Sequence, residues 1–139
     1  MYLVDTSVWV DHLRGNKTPQ VQILTELLAG EDVVGVAPII LQEILQGADS
    51  NERFEKWRKY FAGLCCYNLE DPVESHVAAA RLYQSCRRAG KTPRSSNDCL
   101  IARIAIENAV VLLHDDRDFD GIAAVVAELQ ILTIFADPR

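Results

Sequence analysis

Short, uninterrupted apolar runs alternate with amphipathic stretches along this chain, and that alternation limits the folds open to it more than any other feature. Tyr2-Leu3-Val4, Val33-Val34-Gly35-Val36, residues 65–69, Val110-Val111-Leu112-Leu113 and residues 131–135 read as strands. The stretches between them carry helical periodicity and helix punctuation. Thr6 or Ser7 starts a first helix that Gly15 stops; Pro19 opens a second that ends at Gly30; Pro38 opens a third that reaches Gly47. Further helices cover 51–62, Pro72 to Arg87-Arg88, a segment started by Ser96 or Asn97 that runs through Ile106, and 119–129. Strands that are apolar at successive positions are covered on both faces, so the pattern predicts a parallel sheet between helical layers with right-handed crossovers.

In such sheets ligands gather beyond the carboxyl ends of the strands. This is where acidic residues recur. Asp5 follows the first strand, Asp116 and Asp118 follow the fourth, Glu43 lies on an apolar helix face with Ile40 and Gly47, and Asp98 stands in the first turn of its helix. Each has a plain structural explanation. Asp5 suits a helix N-cap, Glu43 suits a boundary position whose head reaches water, and Asp98 offsets a helix dipole. The crowd Asp115, Asp116, Asp118 and Asp120 suits a solvated turn followed by helix-capping aspartates. Brought together, however, the same carboxylates repel one another, and a bound divalent cation relieves that repulsion. Carboxylates holding such an ion are, in outline, a phosphodiester-cleaving site.

The bulk properties fit one domain spanning 1–139. Apolar residues make up 49 % of the chain, and charged residues 24 %. No apolar run approaches the ~20 residues that cross a bilayer, and the N-terminus lacks the features of a signal peptide; a cytoplasmic protein without a membrane partner is expected. Cys65, Cys66, Cys86 and Cys99 show neither Cys-x-x-Cys nor zinc-ligand spacing. The net charge of −6 disfavours a broad nucleic-acid-binding face. Four of those charges belong to the candidate site, which leaves −2 elsewhere. Arg87, Arg88, Lys91 and Arg94 lead into the Asp98 segment. They suit either a solvated helix end or a phosphate-contacting lip.

The order strand–Asp, helical Glu, helix-start Asp, strand–Asp is more specific than any one residue in it. Asp5-Thr6-Ser7-Val8-Trp9-Val10-Asp11, Asn97-Asp98-Cys99-Leu100-Ile101-Ala102 and His114-Asp115-Asp116-Arg117-Asp118-Phe119 closely resemble the motifs of PIN-domain ribonucleases. The resemblance is nearest to the VapC-type toxins of toxin–antitoxin pairs and runs from Met1 to about Ile134. It implies a three-layer α/β/α fold with a central parallel sheet of four to five strands, the first strand central. It also implies an acidic pocket for one or two Mg²⁺ or Mn²⁺ ions. By position Asp5, Glu43, Asp98 and Asp116 match the four acids of that pocket, with Asp118 accessory and Thr6 or Ser7 within reach of the metal or its water.

The implied activity is metal-dependent endoribonuclease cleavage, a hydrolysis of ester bonds, by the toxin of a toxin–antitoxin pair. The alternative is a catalytically weak PIN-like module that mainly binds its antitoxin. Implied partners are RNA, a VapB-type antitoxin and a second copy in a homodimer. An apolar face using Trp9, Trp57 and the 51–62 helix would receive the antitoxin. His114 departs from the Thr of many family members, and either orients a metal-bound water or simply ends the strand. Two other folds with strand-end acids fit less well. A haloacid-dehalogenase-like phosphatase needs Asp-x-Asp where this chain has Asp5-Thr6-Ser7, and a receiver domain needs an early acidic pair and a late lysine.

Overall fold

The computed structural model describes residues 1–132 and 134. Its elements follow the predicted alternation: β1 (Tyr2–Val4), α1 (Thr6–Leu13), α2 (Pro19–Ala29), β2 (Val34–Val36), α3 (Pro38–Gln46), α4 (Asn51–Ala62), β3 (Cys65–Cys66), α5 (Pro72–Arg88), α6 (Ser96–Glu107), β4 (Val111–Leu113) and α7 (Arg117–Val125). The four strands form one parallel sheet in the order β3-β2-β1-β4. Helices flank it to give the three-layer α/β/α architecture.

Strands β1, β2 and β4 are largely buried because nearly every side chain on them is apolar, while both residues of the edge strand β3 are exposed. Leu3, Val4, Leu112 and Leu113 are fully inaccessible, and Val34 and Val36 nearly so. Register pairs Leu3 with Gly35 on one side and with Leu112 on the other. At Gly35 a side chain has no room. A Cβ there would lie 2.8 Å from the Cys65 carbonyl oxygen and against the Tyr67 ring. Because β1 is followed on opposite sides by β2 and β4, the chain reverses its direction of travel across the sheet between β1 and β4. That reversal opens a crevice at the carboxyl ends of these two strands. The Asp5 amide donates to the Leu113 carbonyl at 2.9 Å, which fixes the strand ends side by side.

Some boundaries differ from the sequence reading. The third strand is two residues long rather than 65–69; the Tyr67 amide still bonds the Val36 carbonyl at 2.8 Å, after which the chain leaves the sheet edge. Helix α7 covers Arg117–Val125 rather than 119–129, because Asp116 caps it two residues early and Val126 is extended. Of the caps the sequence offers for α1, Asp5 is the one used rather than Thr6 or Ser7, and Ser95, not Ser96 or Asn97, caps α6. Beside β4, Ile131 makes a single parallel bridge to Leu112; of the rest of the expected strand 131–135, positions 133 and 135 lie outside the described residues.

Helix α5 ends where its sequence permits a tight reversal. Gly90 adopts φ +74, its amide bonds the Arg87 carbonyl, and the Lys91 amide bonds the Cys86 carbonyl at 2.8 Å. This is a Schellman arrangement that satisfies the terminal carbonyls and turns the chain sharply. It sends residues 91–95 toward the crevice. Pro93 in that segment is buried.

Trp9 does not reach the surface. Its ring is fully buried and meets Phe61 edge-on at 4.9 Å. Trp57 is also partly packed against the core. The expected partner face therefore cannot use Trp9, and α4 instead leaves Tyr60 exposed.

Candidate active site

All five expected acids line one cavity of about 380 Å³ at the carboxyl edge of the sheet. Asp5 arrives from the end of β1, Glu43 from the middle of α3, Asp98 from the first turn of α6, and Asp116 and Asp118 from the start of α7. Asp98, Asp116 and Asp118 are the tightest group, each placing an oxygen within 4.8 Å of the others. Asp118 thus stands level with Asp98 and Asp116 in the geometry, although the sequence ranked it as accessory. Asp5 and Glu43 form the wall beside them.

The hydroxyls next to Asp5 hold the acids rather than fill the cavity. Ser7 donates both its hydroxyl and its amide to Asp5 Oδ2, at 2.7 and 3.3 Å. The Ser7 hydroxyl also accepts from the Asp115 amide at 3.3 Å, joining the loop after β4 to α1. Thr6 Oγ1 donates to Glu43 Oε1 at 3.0 Å. Asp116 Oδ1 accepts from the Asp118 amide at 3.0 Å, which starts α7 and orients both carboxylates.

Burial and mutual repulsion set the electrostatics. Asp98 is 9 % exposed, and its carboxyl is pushed up to about 7 by burial first, then by Asp116, Asp5, Asp118 and Glu43. Burial also raises Asp5 and Glu43, against the bonds from Ser7 and Thr6 respectively. Asp118 goes the other way. Burial pulls it up, but the amide, side chain and charge of Arg94 outweigh that and hold it below the usual carboxylate range.

Arg94 is the expected basic residue that the structure brings into the site. Its Nη2 donates to Asp116 Oδ1 at 3.0 Å, and its Nε and backbone amide donate to Asp118 Oδ2 at 3.1 and 3.0 Å. Arg87 lies in an adjoining groove between α5 and α6. Arg88 and Lys91 are exposed and do not line the acid cavity. His114 does not line it either. Its buried ring accepts the Asp116 amide on Nδ1 at 3.1 Å, turns Nε2 toward Asp120 at 3.5 Å and packs on Phe119. It supports the Asp116 turn from behind. The sequence reading passed over Ser95, which lines the cavity while capping α6; its Ser-x-x-Asp spacing before Asp98 is the local sign of that cap.

The donor set consists of hard carboxylate oxygens, several of them buried and repelling. That chemistry fits a Mg²⁺- or Mn²⁺-like dication and not a thiophilic metal.

Residues 2–125 match the family model described as PIN domain. Among curated proteins, the chain is 37 % identical over 126 residues to ribonuclease VapC11 of Mycobacterium tuberculosis, covering 90 % of this chain and 93 % of that protein. It is 33 % identical over 128 residues to ribonuclease VapC51 of the same species, covering 91 % and 88 %. Among solved structures, VapBC2 from Rickettsia felis bound to a DNA fragment from its promoter superposes with TM-score 0.72 at 19 % identity, covering 94 % of this chain and 96 % of that one. The sarcin-ricin-loop-cleaving toxin VapC20 of M. tuberculosis superposes with TM-score 0.61 at 16 % identity, covering 94 % and 99 %. At these identities the two structures speak for the fold alone.

Proposed function

The chain belongs to the PIN domain family, and from that premise we propose that it is a metal-dependent endoribonuclease acting as the toxin of a toxin–antitoxin pair. One observation carries the reading: five carboxylates from four separate elements converge in one cavity at the point where the sheet order reverses. A structural role for each acid explains its local bonds but not their convergence, which costs stability in the absence of a counter-ion.

Asp98, Asp116 and Asp118 would hold a Mg²⁺ or Mn²⁺ ion, with Asp5 and Glu43 completing the set directly or through water. Bound there, the ion supplies Lewis acidity toward a phosphodiester and makes water a better nucleophile. The chain's own residues set the geometry. Ser7 and Thr6 fix the rotamers of Asp5 and Glu43 through the bonds described above, and His114 holds the turn that presents Asp116. Glu43, raised by burial, sits at the cavity wall where it can take a proton from the attacking water. Attack on phosphorus with cleavage of the P–O3′ bond leaves a 5′-phosphate and a 3′-hydroxyl.

A VapB-type antitoxin and a second copy of the chain are the partners this reading assigns, in the cytoplasm where substrate and antitoxin meet. The relatives named as VapC ribonucleases, and the VapBC complexes among the structural neighbours, support it. An acidic cavity favours an antitoxin that presents a cationic segment.

The test is incubation of purified protein with structured RNA in Mg²⁺, in Mn²⁺ and in chelator, with the 5′ ends of the products mapped. Cleavage is expected with either ion, with 5′-phosphate ends, and is lost in chelator and in Asp98→Asn. Intact RNA under all conditions would reject the nuclease and leave an antitoxin-binding module.

A further inference from the structure

Arg94 occupies an unusual position for a residue that merely decorates a surface. Among the described residues it is the one cation that lines the acid cavity. Its guanidinium bonds two of the three carboxylates in the tightest group, Asp116 and Asp118. Those are two of the three carboxylates that a divalent ion would need, and a dication seated among them repels the guanidinium.

The arginine is also built to move. Its backbone is fixed three ways: by the amide bond to Asp118, by buried Pro93 before it and by the Ser95 cap of α6 after it. Its side chain, in contrast, is 73 % exposed. A long cationic side chain on a pinned backbone can release one partner and take another without unfolding anything. The partners available are laid out around it. Arg94 lies at the junction of the acid cavity, the groove carrying Tyr83, Arg87 and Asn97, and a third cavity beside Gln20 and Arg117. A strand of RNA passing the acids would bring a phosphate to this junction, and a guanidinium is suited to grip two phosphate oxygens at once.

We propose that Arg94 is an exchangeable counter-ion: it pairs with Asp116 and Asp118 in the metal-free protein, yields them to the divalent cation, and turns to the RNA phosphate at the site of cleavage. The last step rests on the nuclease reading; the exchange with metal does not. Arginine and metal therefore compete for the acids, while both are needed for the reaction. A residue that only stabilised the loop would not produce that opposition.

The experiment is calorimetric titration of Mn²⁺ into wild type, Arg94→Gln and Arg94→Lys without RNA, beside single-turnover RNA cleavage at saturating Mn²⁺. In Arg94→Gln, Mn²⁺ should bind about tenfold more tightly, within the usual range of coupling between two ligands of one site, while cleavage falls about a hundredfold. Arg94→Lys, which keeps the charge but not the fork, should bind Mn²⁺ close to wild type and recover only part of the rate. Unchanged or weaker Mn²⁺ binding in Arg94→Gln would overturn the exchange, as would wild type that binds no Mn²⁺. A wild-type rate in Arg94→Gln would overturn the phosphate step. Wild type that binds Mn²⁺ but leaves RNA intact would sink the nuclease reading, while the titration still judges the exchange.

Discussion

Replacing Asp98 by Asn should stabilise the metal-free protein, and by an amount that depends on pH. The Asp98 carboxyl is pushed from 3.8 up to about 7 by burial and by four neighbouring acids. Below pH 3.8 the group is protonated in both folded and unfolded chains and contributes nothing to the difference. Between 3.8 and 7 the folded chain holds a proton that the unfolded chain has released, so stability falls as pH rises. Above 7 the loss is complete. About three pKa units at 1.36 kcal/mol each give roughly 4 kcal/mol as the upper bound of that loss. Asn carries no charge to bury, but it gives up the favourable interaction of an acid with the α6 N-terminus, about 0.3–1 kcal/mol. The net gain is then about 3 kcal/mol at pH 8 and, with the folded carboxyl still protonated and no dipole interaction to lose, about 1.5 kcal/mol at pH 5. For a chain of this size that corresponds to roughly 10 °C in Tm at pH 8. Thermal and urea unfolding of both proteins in chelator, across pH 5 to 8, measures it. With Mn²⁺ at a hundred times its Kd the order should close or invert, because wild type gains about 2.7 kcal/mol that the variant largely forgoes. A stability gain in Asp98→Asn that is absent, or equal at pH 5 and pH 8, would refute the claim that Asp98 carries the strain of the cluster.

Two further outcomes test the parts on which the site stands. Asp5→Asn should fold normally yet lose at least a hundredfold in RNA cleavage, since an amide still accepts the bonds from Ser7 but lacks the charge; Asp5→Ala should lose about 1 kcal/mol more by urea unfolding, the usual worth of an N-cap. Gly35→Ala should cost about 1–3 kcal/mol or more in the same assay, because its Cβ meets the backbone of β3 and the Tyr67 ring; a change under about 0.5 kcal/mol would contradict the packing across β2.

Most of the architecture was legible because its determinants are local. Pro19, Pro38 and Pro72 stand at the first positions of α2, α3 and α5, and the apolar runs mark β1, β2 and β4. What escaped was set by distant parts of the chain. Residues 67–69 have strand-like composition, but β2 offers only a three-residue partner, so β3 stops at Cys66. Trp9 reads as a partner contact until Phe61, fifty-two residues later, closes over it. The ion pairs of Arg94 span 22 and 24 residues to Asp116 and Asp118 and leave no local pattern. Asp115, Asp116, Asp118 and Asp120 look alike in sequence; only the start of α7 at Arg117 decides that Asp116 and Asp118 face the cavity together while Asp120 turns toward His114.

The choice between capping residue and site residue, which the sequence poses for Asp5 and for Asp116, turns out to be false. Asp5 caps α1 through Oδ2 alone, accepting both Ser7 donors on that one oxygen. Asp116 caps α7 through Oδ1 alone, which also takes the bond from Arg94. Neither bond set that makes the cap uses more than one oxygen of its carboxylate. A cap needs one acceptor, and a carboxylate has two oxygens, so the helix start fixes the rotamer while the side chain still lines the cavity. An Asn or Ser cap would start the helix as well but would supply no charged second oxygen. The strand-to-helix turn is thus an economical place to build an acid site. The backbone geometry that ends a buried strand and begins a helix already positions the side chain, directly after β1 at Asp5 and two residues further on after β4 at Asp116.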